Sequence, residues 1–142
     1  MARTVCLLIL YSKDKRVLLQ HRDNKAPVFP NHWAFFGGSV EPGETLEEAV
    51  KRETFEEISY RLKAPKLLIY GEMSGESADG KYYKGAEGIM HIYAEEYDDI
   101  QELVLHEGDG MGWFSFSEID DLKMAPHDKK FLKLLEKKII SL

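Results

Sequence analysis

Thr4 to Tyr11 is an almost unbroken apolar, β-branched run, and after the polar Ser12-Lys13-Asp14-Lys15-Arg16 a second run, Val17-Leu18-Leu19-Gln20-His21, follows. Apolar runs bounded by turn formers predict two strands joined as a hairpin, the first of them buried. Arg22-Asp23-Asn24-Lys25-Ala26-Pro27 opens a loop through Pro30 and His32, too rich in turn formers for regular structure. Trp33-Ala34-Phe35-Phe36 is a short, bulky strand that delivers the chain to Gly37-Gly38. With Glu41-Pro42-Gly43-Glu44 these glycines predict a tight loop whose backbone can approach a ligand or metal closely.

Thr45-Leu46-Glu47-Glu48 has the form of a capping box, so a helix is expected to begin there. At 100° per residue Leu46, Ala49 and Val50 share one side with Glu53 and Glu57, and Glu56 lies near its edge. The inward face is apolar first and acidic later.

Beyond the helix, Lys66 to Tyr70 reads as a strand, and Gly71 to Gly88, with its five glycines, reads as a long hairpin connection that contains the strand ends and borders a functional site. Ile89 to Ala94 predicts a central strand ended by the charged Glu95-Glu96-Tyr97-Asp98-Asp99, and Met111 to Phe116 another. Ser117 is the expected cap of a short helix. Pro126-His127-Asp128 introduces a closing helix with Phe131, Leu132, Leu135 and Ile139 at helical spacing. Strands around one middle helix, with one or two helices at the end, suit an α/β/α sandwich with a mixed sheet.

The length of 142 residues predicts a single domain over 1–142. No apolar run approaches transmembrane length and no signal-peptide pattern opens the chain, so no membrane partner and a cytoplasmic location are expected. Cys6 reads as a buried small hydrophobe without chemistry. A net charge of −6 argues against DNA or long RNA as partners. It leaves room for a small phosphorylated substrate, because a bound divalent cation reverses the local sign of an acidic pocket. Carboxylates three and four residues apart on a helix repel by about 0.2–0.5 kcal/mol per pair. Their hard oxygens point to Mg²⁺ or Mn²⁺ as the missing positive charge.

From Gly38 to Tyr60 the chain reads GSVEPGETLEEAVKRETFEEISY. This segment resembles the signature of the Nudix hydrolases, in which a glycine is followed at fixed spacing by a glutamate, an Arg-Glu pair and a Glu-Glu pair. Gly38, Glu44, Arg52, Glu53, Glu56 and Glu57 stand at the matching positions. Thr54 and Tyr60 replace aliphatic residues, and Ser59 replaces a glycine. Ser59 therefore weakens the expectation of the usual helix-ending turn and predicts altered packing there.

The resemblance implies the Nudix-like α/β/α sandwich and metal-dependent hydrolysis of a diphosphate bond in a nucleoside diphosphate linked to another group. A nucleoside triphosphate or a nucleotide-sugar type compound is the implied substrate. It places Glu53, Glu56, Glu57 and the Gly38 carbonyl in a Mg²⁺ or Mn²⁺ shell. Glu53 and Glu57 are implied as catalytic groups, with Arg52 and Glu44 organising loop and helix. Arg52 is left between pairing with Glu56 and contacting phosphate. The general base is open among Glu53, Glu57, Glu95, Glu96 and Glu107. Trp33, Phe35, Tyr83, His91, Trp113 and Phe114 are candidates for base recognition, each with core packing as its alternative, and His127 stands near a helix start. Relatives of this kind are often homodimers. The competing reading is a nucleotide-binding sensor or regulator on the same fold that does not turn over.

Overall fold

A computed structural model describes residues 3–27, 29–73 and 88–142. Along them lie β1 (Arg3–Tyr11), β2 (Val17–His21), β3 (Trp33–Ala34), β4 (Phe36–Ser39), α1 (Leu46–Ile58), β5 (Lys66–Met73), β6 (Gly88–Glu96), β7 (Gly110–Phe114), α2 (Phe116–Ile119) and α3 (Pro126–Ile140). The strands form one mixed sheet. β1 runs parallel to β6 from Arg3↔Gly88 to Tyr11↔Glu96 and antiparallel to β4 from Val5↔Ser39 to Leu8↔Phe36. β2 pairs antiparallel with β7 and β3, and β5 antiparallel with β6. The expected hairpin of the first two strands survives as the single pair Tyr11↔Val17, because β4 takes the flank of β1 nearer its start.

Alternation along the strands divides the core between two faces. Cys6, Leu8, Leu10, Leu18 and Tyr93 pack with Ala49, Val50 and Ile58 of α1. Ile9, Val17, Leu19, Ile92 and Ala94 pack with Leu132, Leu135 and Ile139 of α3. Each such aliphatic side chain contributes roughly 1.5–3 kcal/mol when fully buried. Covered on both sides, β1 needs the continuous apolar run that marks it in the sequence. The result is the α/β/α sandwich with a mixed sheet that the pattern predicts.

Three local expectations are corrected. Gly37 and Gly38 lie in β4 instead of a loop: a Cβ at Gly37, whose φ is +142°, would stand 2.2 Å from the Cys6 carbonyl oxygen, so only glycine lets β4 lie this close to β1. The turn comes later, at Pro42-Gly43. The cap of α2 is Ser115, not Ser117, because Ser115 and Glu118 form a capping box, and β7 accordingly stops at Phe114.

Trp33 to Phe36 also does not run as one strand but breaks at Phe35, whose backbone groups bond to distant side chains. Its N–H donates to Asp128 Oδ2 at 3.0 Å and its carbonyl accepts from Gln20 Nε2 at 2.8 Å. Burial pushes the Asp128 carboxyl up to about 6, against the opposing effects of the Phe35 N–H and the Arg22 charge. Strand ends do fall inside the Gly71–Gly88 stretch, at Met73 and Gly88. Residues 74–87, including Tyr83, lie outside the described residues. Among the described residues no helix is long and apolar enough to cross a membrane.

Candidate active site

α1 starts where its capping box predicts. Thr45 Oγ1 accepts from the Glu48 N–H at 3.1 Å and Glu48 Oε1 accepts from the Thr45 N–H at 2.9 Å. Its inward face carries buried Ala49, Val50, Thr54, Glu57 and Ile58. Glu53 is half-buried beside them and Glu56 is exposed.

Arg52 ties this helix to the chain before it. Its Nε and Nη2 donate to the two carboxylate oxygens of Glu44 at 2.6 and 3.0 Å, and Nη2 also reaches the Ser39 carbonyl at 3.1 Å. Nη1 donates to Glu53 Oε1 at 2.9 Å and to Glu56 Oε2 at 3.3 Å. Glu44 Oε1 in turn accepts from the Glu41 N–H at 3.0 Å. The Arg52 guanidinium, with the Glu41 N–H, holds the Glu44 carboxyl below its ordinary value, and the same bond to Glu44 raises Arg52. A two-pronged bond of this kind fixes geometry as well as charge. Arg52 and Glu44 thus clamp the end of β4, the following turn and the helix into one unit.

Gly38 lies directly against the acidic face. A Cβ there would stand 2.6 Å from the Glu53 carboxyl, so glycine lets the carboxylate rest on the strand. One step away, Glu57 is only 2% exposed, and its Oε1 accepts from the Gly37 N–H at 2.9 Å. Burial, and after it the charge of Glu107, push Glu57 up to about 9 against that N–H, with Glu53 as a further like charge.

Glu107 comes from far along the chain because the segment before it pairs with the end of α1. The Val104 N–H donates to the Ile58 carbonyl at 3.0 Å and the His106 N–H to the Glu57 carbonyl at 2.8 Å. Glu107 lines a pocket of about 220 Å³ together with Gln20, Arg22, Lys25 and the apolar Ala26-Pro27 edge. Glu95 is engaged elsewhere, its carboxylate accepting from the backbone N–H groups of Lys63 and Ala64. Glu96 is exposed at the end of β6.

Among the described residues no group of three His, Cys, Asp or Glu is already arranged as a metal cage. Glu53 and Glu56 turn toward Arg52, and Glu57 toward Gly37. The donor chemistry nevertheless fits a hard divalent cation. Carboxylates gather on one face beside Gly38 of β4, where a Cβ would meet the Glu53 carboxyl, and Glu57 is disfavoured as an anion by burial and by two neighbouring carboxylates.

The departures from the signature each find a partner or leave a mark. Ser59 takes the left-handed conformation that glycine usually supplies, with φ 58°, and its N–H still donates to the Phe55 carbonyl, so the helix-ending turn persists. Its Oγ lies 2.6 Å from His106 Nε2, which binds the turn to the segment carrying Glu107. Tyr60 is fully buried, and its hydroxyl accepts from the Asp98 N–H at 3.0 Å. Thr54 is fully buried too, and its Oγ1 has no hydrogen-bond partner among the described residues. Thr54→Val is therefore expected to stabilise the protein by about 1 kcal/mol, read as a melting temperature higher by about 3 °C.

Among the described residues the aromatic candidates are used in packing. Phe35 is 3% exposed in the core under α3, with Trp33 and Phe114 against that core and edge-on to each other. Trp113 packs on the opposite face and contacts Tyr97, while His91 stacks on Tyr70. His127 is half-buried in the first turn of α3. Sequence reasoning passed over Gln20, whose signal is a lone amide inside an apolar run.

Comparison with known proteins bears on the family and the fold. The nucleoside triphosphatase NudI of Enterobacter sp. (strain 638) is 41% identical over 61 residues, which is 43% of this chain and 43% of that protein. The match therefore covers less than half of the relative's length. Among solved structures, a MutT protein from Methanosarcina mazei superposes with a TM-score of 0.80 at 17% identity, covering 96% of this chain and 94% of the other. A MutT NUDIX hydrolase from Burkholderia pseudomallei reaches 0.74 at 25% identity, covering 94% and 97%. The NUDIX domain model matches residues 1–135. Fold, signature and match over nearly the whole length lead to one conclusion: the chain belongs to the NUDIX domain family.

Proposed function

We propose that this chain, acting as a single domain over 1–142, hydrolyses a diphosphate bond in a nucleoside diphosphate linked to another group, with nucleoside triphosphates as the leading substrate class. The observation that carries this reading is the convergence of Glu107 on buried Glu57 beside a pocket that also presents Arg22 and Lys25. The similarity to a nucleoside triphosphatase supports the substrate class.

Glu53, Glu56, Glu57 and the Gly38 carbonyl would hold Mg²⁺ or Mn²⁺. When bound, such a cation offsets the charge of the diphosphate oxygens and polarises water. The Gly37 N–H holds Glu57 Oε1 in place, and the Arg52–Glu44 clamp keeps helix and strand in register. Arg22 and Lys25 draw the phosphates into the pocket. Water adds to a phosphorus, its proton passes to the Glu107 carboxylate, and the bond to the leaving phosphate oxygen breaks, the charge going with that oxygen. Glu107 is the base of choice because it lines the pocket, whereas Glu95 is bonded to backbone elsewhere.

The test is release of phosphate and pyrophosphate from a panel of nucleoside triphosphates and nucleoside diphosphate conjugates. Turnover with Mg²⁺ or Mn²⁺ that stops in EDTA is the expected result. Nucleotides that shift the melting temperature without being cleaved would replace the hydrolase reading by that of a sensor.

A further inference from the structure

Three polar side chains are buried among the described residues: Gln20 at 5%, Thr54 at 0% and Glu57 at 2% exposure. Two of them meet. Gln20 projects from β2 on the α1 side of the sheet, where its Nε2 donates to the Phe35 carbonyl at 2.8 Å and to Glu57 Oε2 at 3.4 Å. An amide nitrogen carries two hydrogens, and these bonds use both. The Glu57 carboxylate is then held at each oxygen, Oε1 by the Gly37 N–H and Oε2 by Gln20.

The same amide lies beside the segment that brings in Glu107, the two lining one pocket. A Cβ at Gly108 would stand 2.5 Å from the His21 carbonyl oxygen and 3.5 Å from Gln20 Oε1. Only glycine there, with φ +78°, lets this segment lie on the end of β2. Gln20 also lines the pocket. It therefore stands between the β3–β4 break, the buried glutamate and the Glu107 segment.

We propose that Gln20 is a positioning residue, whose amide fixes the Glu57 carboxylate and the Glu107 segment relative to each other for cation binding and hydrolysis. The inference rests on the hydrolase reading for its catalytic half and on Glu57 as a cation ligand for the other. The choice of an amide follows from its neighbours. A carboxylate at this position would add a like charge beside Glu57 and Glu107, and an aliphatic group would leave the Phe35 carbonyl and Glu57 Oε2 without a donor. A side chain with two hydrogens and no charge answers both demands.

The experiment compares wild type with Gln20→Met, which keeps length and bulk and removes the donor. Thr54→Val, another buried change facing the sheet from α1, serves as the control. Three quantities are read: Mn²⁺ affinity by calorimetry, kcat and KM for the best nucleotide of the panel, and melting temperature. Gln20→Met is expected to bind Mn²⁺ and to turn over about 10–100-fold less well, the range for removing a residue that orients a ligand. Its KM should stay near that of wild type, and Thr54→Val should change neither Mn²⁺ affinity nor kcat. A folded Gln20→Met with wild-type Mn²⁺ affinity and kcat overturns the assignment and leaves Gln20 as packing.

If that variant does not fold, Gln20→Asn, which keeps the amide but draws it back by one methylene, decides by the same Mn²⁺ titration. A wild type that binds Mn²⁺ but cleaves nothing removes the hydrolase reading alone, and Gln20 is then judged on cation affinity. One that binds no Mn²⁺ overturns both.

Discussion

Glu57→Gln is expected to lose roughly 10²–10⁴-fold in hydrolysis, the range for removing one positioned proton-transfer or charge-stabilising group, while the protein stays folded. Gln retains the length of Glu and an oxygen that can accept from the Gly37 N–H, now at 2.9 Å from Oε1. It removes the anion that a cation would need. Stability should differ in its dependence on pH. The Glu57 carboxyl is raised from 4.5 to about 9 by burial and by Glu107 and Glu53, so the folded protein holds its proton where the unfolded chain has released it. That contribution is fully present below about 4.5 and is lost as pH rises through about 9. Without divalent cations, the wild type should therefore lose melting temperature over this window through this group, and the Gln variant should not. Thermal scans at pH 5 and pH 8, with and without Mn²⁺, check both statements. A Gln variant whose melting temperature falls from pH 5 to pH 8 without cation as steeply as that of the wild type would contradict the assigned cost of this buried charge. Added Mn²⁺ should raise the wild type and leave the variant unmoved.

The second large effect concerns Gly37→Ala. Its new Cβ would lie 2.2 Å from the Cys6 carbonyl oxygen and 2.8 Å from Leu7 Cα, at a φ of +142°. Both obstacles are backbone atoms of β1, and β1 is bonded on its other side to β6 along its whole length. Neither can retreat. A loss of about 4 kcal/mol or more is expected, a large part of the stability of an ordinary domain, and urea unfolding should show it as collapse of the midpoint or failure to fold. Gly43→Ala gives the comparison. At Gly43 φ is +83° and nothing lies within 4 Å of the new Cβ, so only the conformational cost of about 1–2 kcal/mol remains. If the two variants unfold at similar urea concentrations, the close approach of β4 to β1 is not what requires glycine.

What was legible in the sequence depended on interactions that are local or periodic. The start of α1 follows from Thr45 and Glu48, three residues apart, and the burial of Ala49, Val50 and Glu57 follows from helical spacing. The two-sided core follows from strand alternation. The spaced carboxylates and glycine could be recognised because family resemblance preserves spacing. What escaped depends on partners distant in sequence. The break at Phe35 needs Asp128, 93 positions away, and Gln20, 15 positions away. The place of Glu107 beside the end of α1 follows only from the Val104 and His106 N–H groups on the last carbonyls of that helix. Ser59 shows the same limit. Its intrinsic preference argues against a left-handed cap, yet the turn forms with the hydroxyl beside His106, an example of tertiary contacts overriding a local penalty.

The pairing of β1 with β6 has a consequence for the order in which the protein comes into being. β1 precedes the other described strands of the sheet in the chain, and the strand that completes its parallel ladder ends at Glu96. Until that residue has been synthesised, one edge of an apolar strand remains unpaired, and parallel pairing across so long a separation is slow to close. β4 reaches the opposite edge much sooner, but only over Val5 to Leu8. The nascent chain is thus most exposed to association with other chains between the emergence of β1 and the arrival of β6.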